Sequence, residues 1–213
     1  MGKPSTPTRS VLLTRHGTSE HNLNTRFYMG RSPASHLIEE GRAQALALGA
    51  YVSAQHHIGQ IIASSLPRTQ ETAELVASKL GGVAVHLESA FWEMSKGDWE
   101  GRMPRNGVPE PSRTEWDERP YRFRFPGGES FADVARRVSP AFERWTNQFP
   151  GQQLLFVLHG DVICALLQRL LNSPEEDVRK MLVKPCSITE LERHGGKWRL
   201  LRLSDDSFLR GEQ

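Results

Sequence analysis

The sequence predicts an α/β fold: a three-layer αβα sandwich with a mostly parallel central sheet. Three observations predict it. Short apolar, strand-like runs alternate along the chain with stretches of helical periodicity. Two of the runs, ending Arg15-His16-Gly17 and Leu158-His159-Gly160, stop at the same dipeptide, and helix-like sequence follows each. The 213 residues are 38% hydrophobic, enough for one full core, and no run approaches the roughly 18 apolar residues that a membrane span needs.

The elements follow in order. Residues 1–9 are polar and Pro-rich and read as a flexible tail, ahead of a single domain over 10–213. Gly2 with Thr6 formally fits a myristoylation pattern, but the stretch is read as a frayed tail. The first strand lies near 10–15. Ala43, Leu46, Ala47, Ala50 and Tyr51 share one face of a helix over 39–55. Ile58–Ser64 reads as the second strand. Pro67 opens a helix that Gly81-Gly82 ends. Val83–Leu87 is the third strand, and 130–148 is helical with Pro140 as a kink or boundary. Leu154–Leu158 is the fourth strand, with a helix over 161–172. Ser173 caps a further helix from Pro174 to Leu182. Ser187–Leu191 and Trp198–Leu203 form a terminal hairpin around His194-Gly195-Gly196. The stretch 93–129 is rich in Gly, Pro, Trp and charge and lacks periodicity. It reads as an irregular insertion over the active edge of the sheet.

Bulk properties narrow the function. A net charge of +2 is too small to imply nucleic acid. Cys164 and Cys186 form no CxxC and no disulfide framework, so a reducing cytoplasm is expected. Neither cysteine heads the C-x5-R loop of a cysteine phosphatase. No DxD, HExxH or paired-histidine spacing points to a metal hydrolase. No cofactor, metal or membrane partner is expected, and a homodimer is left open.

The chemistry sits in the charged groups that follow the strands. If the His-Gly strands run parallel, both histidines emerge at the carboxyl edge, where open α/β sheets bind ligands. Arg15 and His16 follow the first strand, Arg68 the second, Glu93 and Glu100 the third, and His159 the fourth. Guanidinium forks match phosphate oxygens. A neutral imidazole can attack phosphorus, and a carboxylic acid can protonate a leaving alkoxide. Singly, each residue has a structural explanation; jointly they suffice for phosphoryl transfer without a metal.

Arg15-His16-Gly17 with Ser19 and Asn22 resembles the signature of the histidine phosphatase superfamily, which includes phosphoglycerate mutases and fructose-2,6-bisphosphatases. Ser64–Ala73, Trp92–Gly101, Phe125–Ser130 and His159-Gly160 are similar to the family's further segments, in the right order. The resemblance spans about residues 10–190. It implies that His16 becomes a phosphohistidine, that Arg15, Arg68 and His159 hold the phosphoryl oxygens, and that Glu93 donates the proton. Ser19, Asn22 and the backbone of Gly160 would add hydrogen bonds. His159 is expected to be protonated, a state that a bound dianion would favour. Gly97–Gly101 has the form seen in phosphatase members, which favours hydrolysis of a small phosphate ester over mutase transfer or a non-catalytic binding module. Tyr121–Pro126 is similar to a sugar-phosphate-binding stretch of fructose-2,6-bisphosphatases, so Arg122 and Arg124, sharing one face of extended chain, are expected to clamp a second anionic group. Sugar phosphates or phosphoglycerate-like esters fit such a lid, with alpha-ribazole phosphate or broad phosphomonoesters as runners-up. One departure stands out: Asp161 follows His159-Gly160 where relatives carry a small or neutral residue. It is expected to cap the next helix.

Overall fold

The computed structural model describes residues 9–23, 26–102 and 107–210. Residues 1–8, with Gly2 and Thr6, lie outside the described residues; Arg9 already belongs to the first strand. The chain runs β1 (Arg9–Arg15), a short α1 (Glu20–Leu23), α2 (Glu39–Gln55), β2 (Ile58–Ser64), α3 (Pro67–Lys79) and β3 (Val85–Glu88). It continues through α4 (Ser112–Glu118), α5 (Phe131–Gln148), β4 (Gln153–Leu158), α6 (Gly160–Leu171), β5 (Ile188–His194) and β6 (Lys197–Asp205).

One six-stranded sheet, in the order β3-β2-β4-β1-β5-β6, forms the middle layer. Its β3-β2-β4-β1 half is parallel, and β5 and β6 add an antiparallel edge. Strand periodicity explains the three layers. Val11, Leu13, Leu154, Phe156 and Leu158 face one side, where α5 and α6 supply Val138, Phe142, Val162 and Leu166. Leu12, Leu155 and Val157 face the other, against Ala45, Leu48, Ala73 and Val76 of α2 and α3. Both faces are covered, so the central strands are apolar throughout.

The β1–β4 register places the site. Arg15 lies opposite Leu158, and the His16 N–H donates to the Leu158 carbonyl at 3.0 Å. His16 and His159 therefore leave adjacent strands at the same edge. The loop after His16 lies directly on α2: a Cβ on Gly17 would come within 2.4 Å of the Gly41 carbonyl oxygen, and one on Gly41 within 1.9 Å of the Thr18 carbonyl oxygen.

Several expectations need correction. No helix spans 174–182. Asn172 ends α6 in the left-handed region, Pro174 is extended, and only a single 3-10 turn, Glu175–Asp177, follows. Val178 and Val183 are drawn into the core, and the carbonyls of Met181 and Val183 serve Cys164 and Arg15 instead of a helix. Pro140 is no boundary: α5 runs through it, held by a large apolar face and a Ser130–Asp133 capping box. The third strand lies two residues later than read, and the terminal hairpin strands are longer. The insertion is not merely a cover. It contains α4, and Trp99, Val108, Tyr121, Phe123 and Phe125 join the core.

Gly41→Ala is expected to lose about 1–3 kcal/mol of stability, the usual cost of overpacking a tight contact. Urea unfolding against wild type checks this, and an unchanged midpoint would show that the contact is not restrictive.

Candidate active site

Main-chain groups orient the His16 imidazole. Its Nδ1 lies 2.8 Å from the Gly17 carbonyl, which only accepts, and its Nε2 lies 3.2 Å from Arg68 Nε, which only donates. Together they require the tautomer protonated at Nδ1, so Nε2 is the unprotonated nitrogen, its lone pair accepting from Arg68. Burial, then the charges of Arg68 and Arg15, hold the His16 pKa well below the usual histidine range. The ring is neutral, as a nucleophile must be.

Pro67 at the start of α3 turns Arg68 into the site. Its Nη2 and Nη1 donate to the carbonyls of Gly30 at 3.1 Å and Ser32 at 3.4 Å. Thr72, one turn on, links the Arg68 carbonyl to the Gly17 N–H. Arg15 donates from Nη1 to the Val183 carbonyl at 2.9 Å, while its buried Nε finds no protein partner.

His159 stands 5.3 Å from His16, ring centre to ring centre, in a T-shaped contact. Its Nε2 pairs with Ser64 Oγ at 2.9 Å, and its buried Nδ1 finds no protein partner. Burial and the charge of Arg68 hold its pKa well below the usual range. The free site, where two guanidiniums already supply positive charge, thus favours the neutral ring; the protonation expected from the sequence is that of the dianion-bound site.

A cavity of about 830 Å³ opens here, lined by Arg15, His16, Arg68, Glu93 and Gly160, the first residue of α6. Glu93 accepts the Met94 N–H at 2.7 Å. Burial, reinforced by the Asp161 charge and opposed by Lys96, raises its carboxyl to about 7. Asn22 also lines the cavity, and Ser19 lies buried behind it, donating from its N–H and hydroxyl to Asn22 Oδ1 at 2.8 and 3.0 Å.

Asp161 is not the cap of α6. That position is His159, and the Asp161 carboxylate pairs with Lys96 Nζ at 2.7 Å. The Lys96 ammonium also sits 4.5 Å from the centre of the Phe125 ring. The pairing answers how a carboxylate is tolerated beside an anion pocket.

Arg122 and Arg124 do not join the site. Alternation over Tyr121–Phe125 buries the three aromatic residues and turns both arginines outward, as extended chain predicts. The outward face, however, is not the cavity face: Arg122 pairs with Glu175 and Arg124 with Asp133. Residues that sequence reasoning missed line the wall instead, among them His21, Lys96, Arg113, Trp116 and Arg179. Burial and Arg68 lower His21 to about 4. Its place beside Asn22 was the available signal, as was the place of Lys96 within Trp92–Gly101; Arg113 and Trp116 come from α4, inside the stretch read as irregular, and Arg179 from the chain after α6.

Taken together, the parallel α/β edge, the neutral imidazole and the cation-rich pocket define a phosphoryl-transfer enzyme. The comparisons are specific. The family model for the histidine phosphatase superfamily (branch 1) matches residues 11–206, and the chain belongs to that family. It is 32% identical over 192 residues to a probable phosphoglycerate mutase GpmB of Photorhabdus laumondii, covering 88% of this chain and 86% of that one. Among solved structures it resembles a mycobacterial glucosyl-3-phosphoglycerate phosphatase (TM-score 0.81, 28% identity, 93% of this chain and 100% of that one). It also resembles the alpha-ribazole phosphatase of Shigella flexneri (TM-score 0.79, 27% identity, 92% and 96%). The protein is a phosphomonoester hydrolase that works through a phosphohistidine. Among the described residues, no cluster of metal-binding side chains occurs, and no helix is long and apolar enough to cross a membrane.

The proton state of Glu93 gives a testable pH profile. A general acid acts protonated, so its active fraction is full below about 7 and lost as pH rises through that value. Asp161→Asn removes an upward push and leaves the opposing Lys96 charge unpaired. The alkaline limb of kcat/KM is expected to move to lower pH in this variant; an unmoved limb would separate it from Glu93.

Proposed function

We propose that the protein hydrolyses a small phosphorylated metabolite whose alcohol carries hydroxyl groups, a sugar phosphate or phosphoglycerate-like ester. His16 serves as nucleophile, Glu93 as acid and then base, and Arg15, Arg68 and His159 as holders of the phosphoryl oxygens. The observation that carries this is the His16 geometry: a neutral ring, its Nδ1 tied to Gly17, its Nε2 beside Arg68 and its centre 5.3 Å from His159.

His16 Nε2 attacks phosphorus. The ester P–O bond breaks, its electron pair goes to the alcohol oxygen, and Glu93 delivers its proton there. The loose transition state spreads charge over the equatorial oxygens, which the two guanidiniums and the α6 N-terminus oppose. The dianion raises the proton affinity of His159, whose unpartnered Nδ1 can then donate. In the second half Glu93, now a carboxylate, takes a proton from water; the water oxygen attacks phosphorus and the P–N bond breaks. Asn22 and the Gly160 backbone support the oxygens, with Ser19 holding Asn22.

The substrate reading rests on the outer wall. Lys96–Asp161 and Arg179–Asp117 are ion pairs, donor beside acceptor. Such pairs present donor and acceptor together, which suits the hydroxyls of a sugar or glycerate alcohol. The relatives named for glucosyl-3-phosphoglycerate and alpha-ribazole phosphate favour the same class. Mutase transfer is the second reading, supported by the relatives named as probable phosphoglycerate mutases.

His16→Ala is expected to abolish phosphate release, and EDTA to leave wild-type turnover intact. Acid quench of labelled substrate should trap a base-stable, acid-labile phosphoenzyme in wild type alone. Turnover by the variant would sink the assignment. Interconversion of 2- and 3-phosphoglycerate without free phosphate would favour the mutase reading.

A further inference from the structure

The motif Phe125–Ser130 has no place in the mechanism above, yet its glutamate stands behind the proton donor. Glu129 Oε1 accepts Arg137 Nε at 2.8 Å. Glu129 Oε2 accepts Arg137 Nη2 at 3.0 Å, the Ser95 N–H at 3.0 Å and Arg31 Nη2 at 2.8 Å. The Glu129 N–H returns a bond to the Ser95 carbonyl at 3.0 Å. Burial pushes this carboxyl up, but Arg137 and Arg31 outweigh it and hold the group ionised.

The two arginines that Glu129 holds converge on one atom. Arg31 Nε donates to the Glu93 carbonyl at 2.9 Å, and Arg137 Nη2 donates to the same oxygen at 3.2 Å. Two charged donors on this carbonyl fix the peptide plane from which the Glu93 side chain departs. Arg31 also sits between Gly30 and Ser32, whose carbonyls hold Arg68. The tripeptide Gly30-Arg31-Ser32 therefore ties the phosphate-holding guanidinium to the backbone of the acid.

We propose that Glu129 is a positioning residue: through Arg31 and Arg137 it sets where the Glu93 carboxyl stands relative to the phosphoryl group held by Arg68. The proposal rests on the reading of Glu93 as proton donor. It makes the cost of disturbing Glu129 depend on the leaving group. An alkoxide needs a well-placed proton; p-nitrophenolate leaves without one. A purely structural role would damage both reactions alike.

The test uses the full chain as wild type, Glu129→Gln and Arg31→Met, with glycerol 2-phosphate and p-nitrophenyl phosphate as substrates. With general-acid catalysis worth about 10²–10⁴-fold, Glu129→Gln is expected to lower kcat/KM on glycerol 2-phosphate, which reports the leaving-group step and not the shared hydrolysis of the phosphohistidine, by roughly 10–100-fold. On p-nitrophenyl phosphate the loss in kcat/KM should stay under about threefold. Arg31→Met, at a half-exposed position, should show the same asymmetry more weakly, and thermal melts establish which variants are folded. Equal losses on both substrates in a folded variant, or no loss on either, would overturn the positioning role. If Glu129→Gln does not fold, Arg31→Met decides alone. Failure of wild type to hydrolyse either ester would instead overturn the phosphatase reading, and this proposal with it.

Discussion

The site depends on burying positive charge without cancelling it. Arg68 is almost fully buried and Arg15 nearly so at Nε, yet among the described residues neither forms an ion pair. They donate to the main-chain carbonyls of Gly30, Ser32 and Val183 and to the His16 ring. A carbonyl dipole satisfies an N–H and repays part of the desolvation, but it carries no net charge. The field of both guanidiniums is left pointing at the cavity. Burial, reinforced by that field, keeps His16 and His159 neutral, and the field is matched in sign to a phosphate dianion.

Regular structure supplies only half of this arrangement. The parallel β1–β4 pairing brings the two imidazoles together, and Pro67 starts α3 where Arg68 can reach them. The carbonyls that hold the arginines come from irregular chain, Gly30–Ser32 and Val183, which is why those segments cannot be helical. The insertion is stiffened for the same purpose. Trp116, Trp99, Phe123 and Phe125 pack edge to face or tilted at centre distances of 5.3–5.8 Å, and this aromatic block supports the Lys96 ammonium beside Glu93. An irregular segment can place a catalytic carboxyl only if something other than backbone periodicity holds it, and here that is an aromatic core on one side and the Glu129 carboxylate on the other.

What was legible in the sequence follows the same division. His16, Arg68 and His159 were readable because each ends or follows an element whose period and caps are local signals. The layers were readable from apolar runs with no polar face. Arg122 and Arg124 show the limit: the alternation that puts them on one face was visible, but which face meets the cavity depends on where Phe123 and Phe125 find their partners, a tertiary fact. Asp161 shows another. Its local propensity favours a cap, and Lys96, sixty-five positions away in sequence, offers a stronger interaction. The helix from Pro174 failed for a related reason, since Val178 and Val183 gain more by burial in the core than the segment gains from helical bonds.

The neutral state of His159 also bears on turnover. Two fixed guanidinium charges meet a dianionic ester and balance it. Were His159 charged in the free site, a third positive charge would bind substrate and inorganic phosphate alike, and binding that does not discriminate between ground and transition states slows release without speeding the chemistry. In the reaction proposed above, His159 takes its proton only when the dianion arrives, which avoids this. Its contribution appears with the phosphoryl group and is withdrawn when the product leaves, because burial beside Arg68 again favours the neutral form. Glu93 shifts the other way despite that field: burial and Asp161, against the charges of Lys96 and Arg68, favour the protonated carboxyl that the proposed acid role needs. The order of proton transfers is thereby set by which groups the fold buries next to which charges, with the substrate's own charge as the trigger.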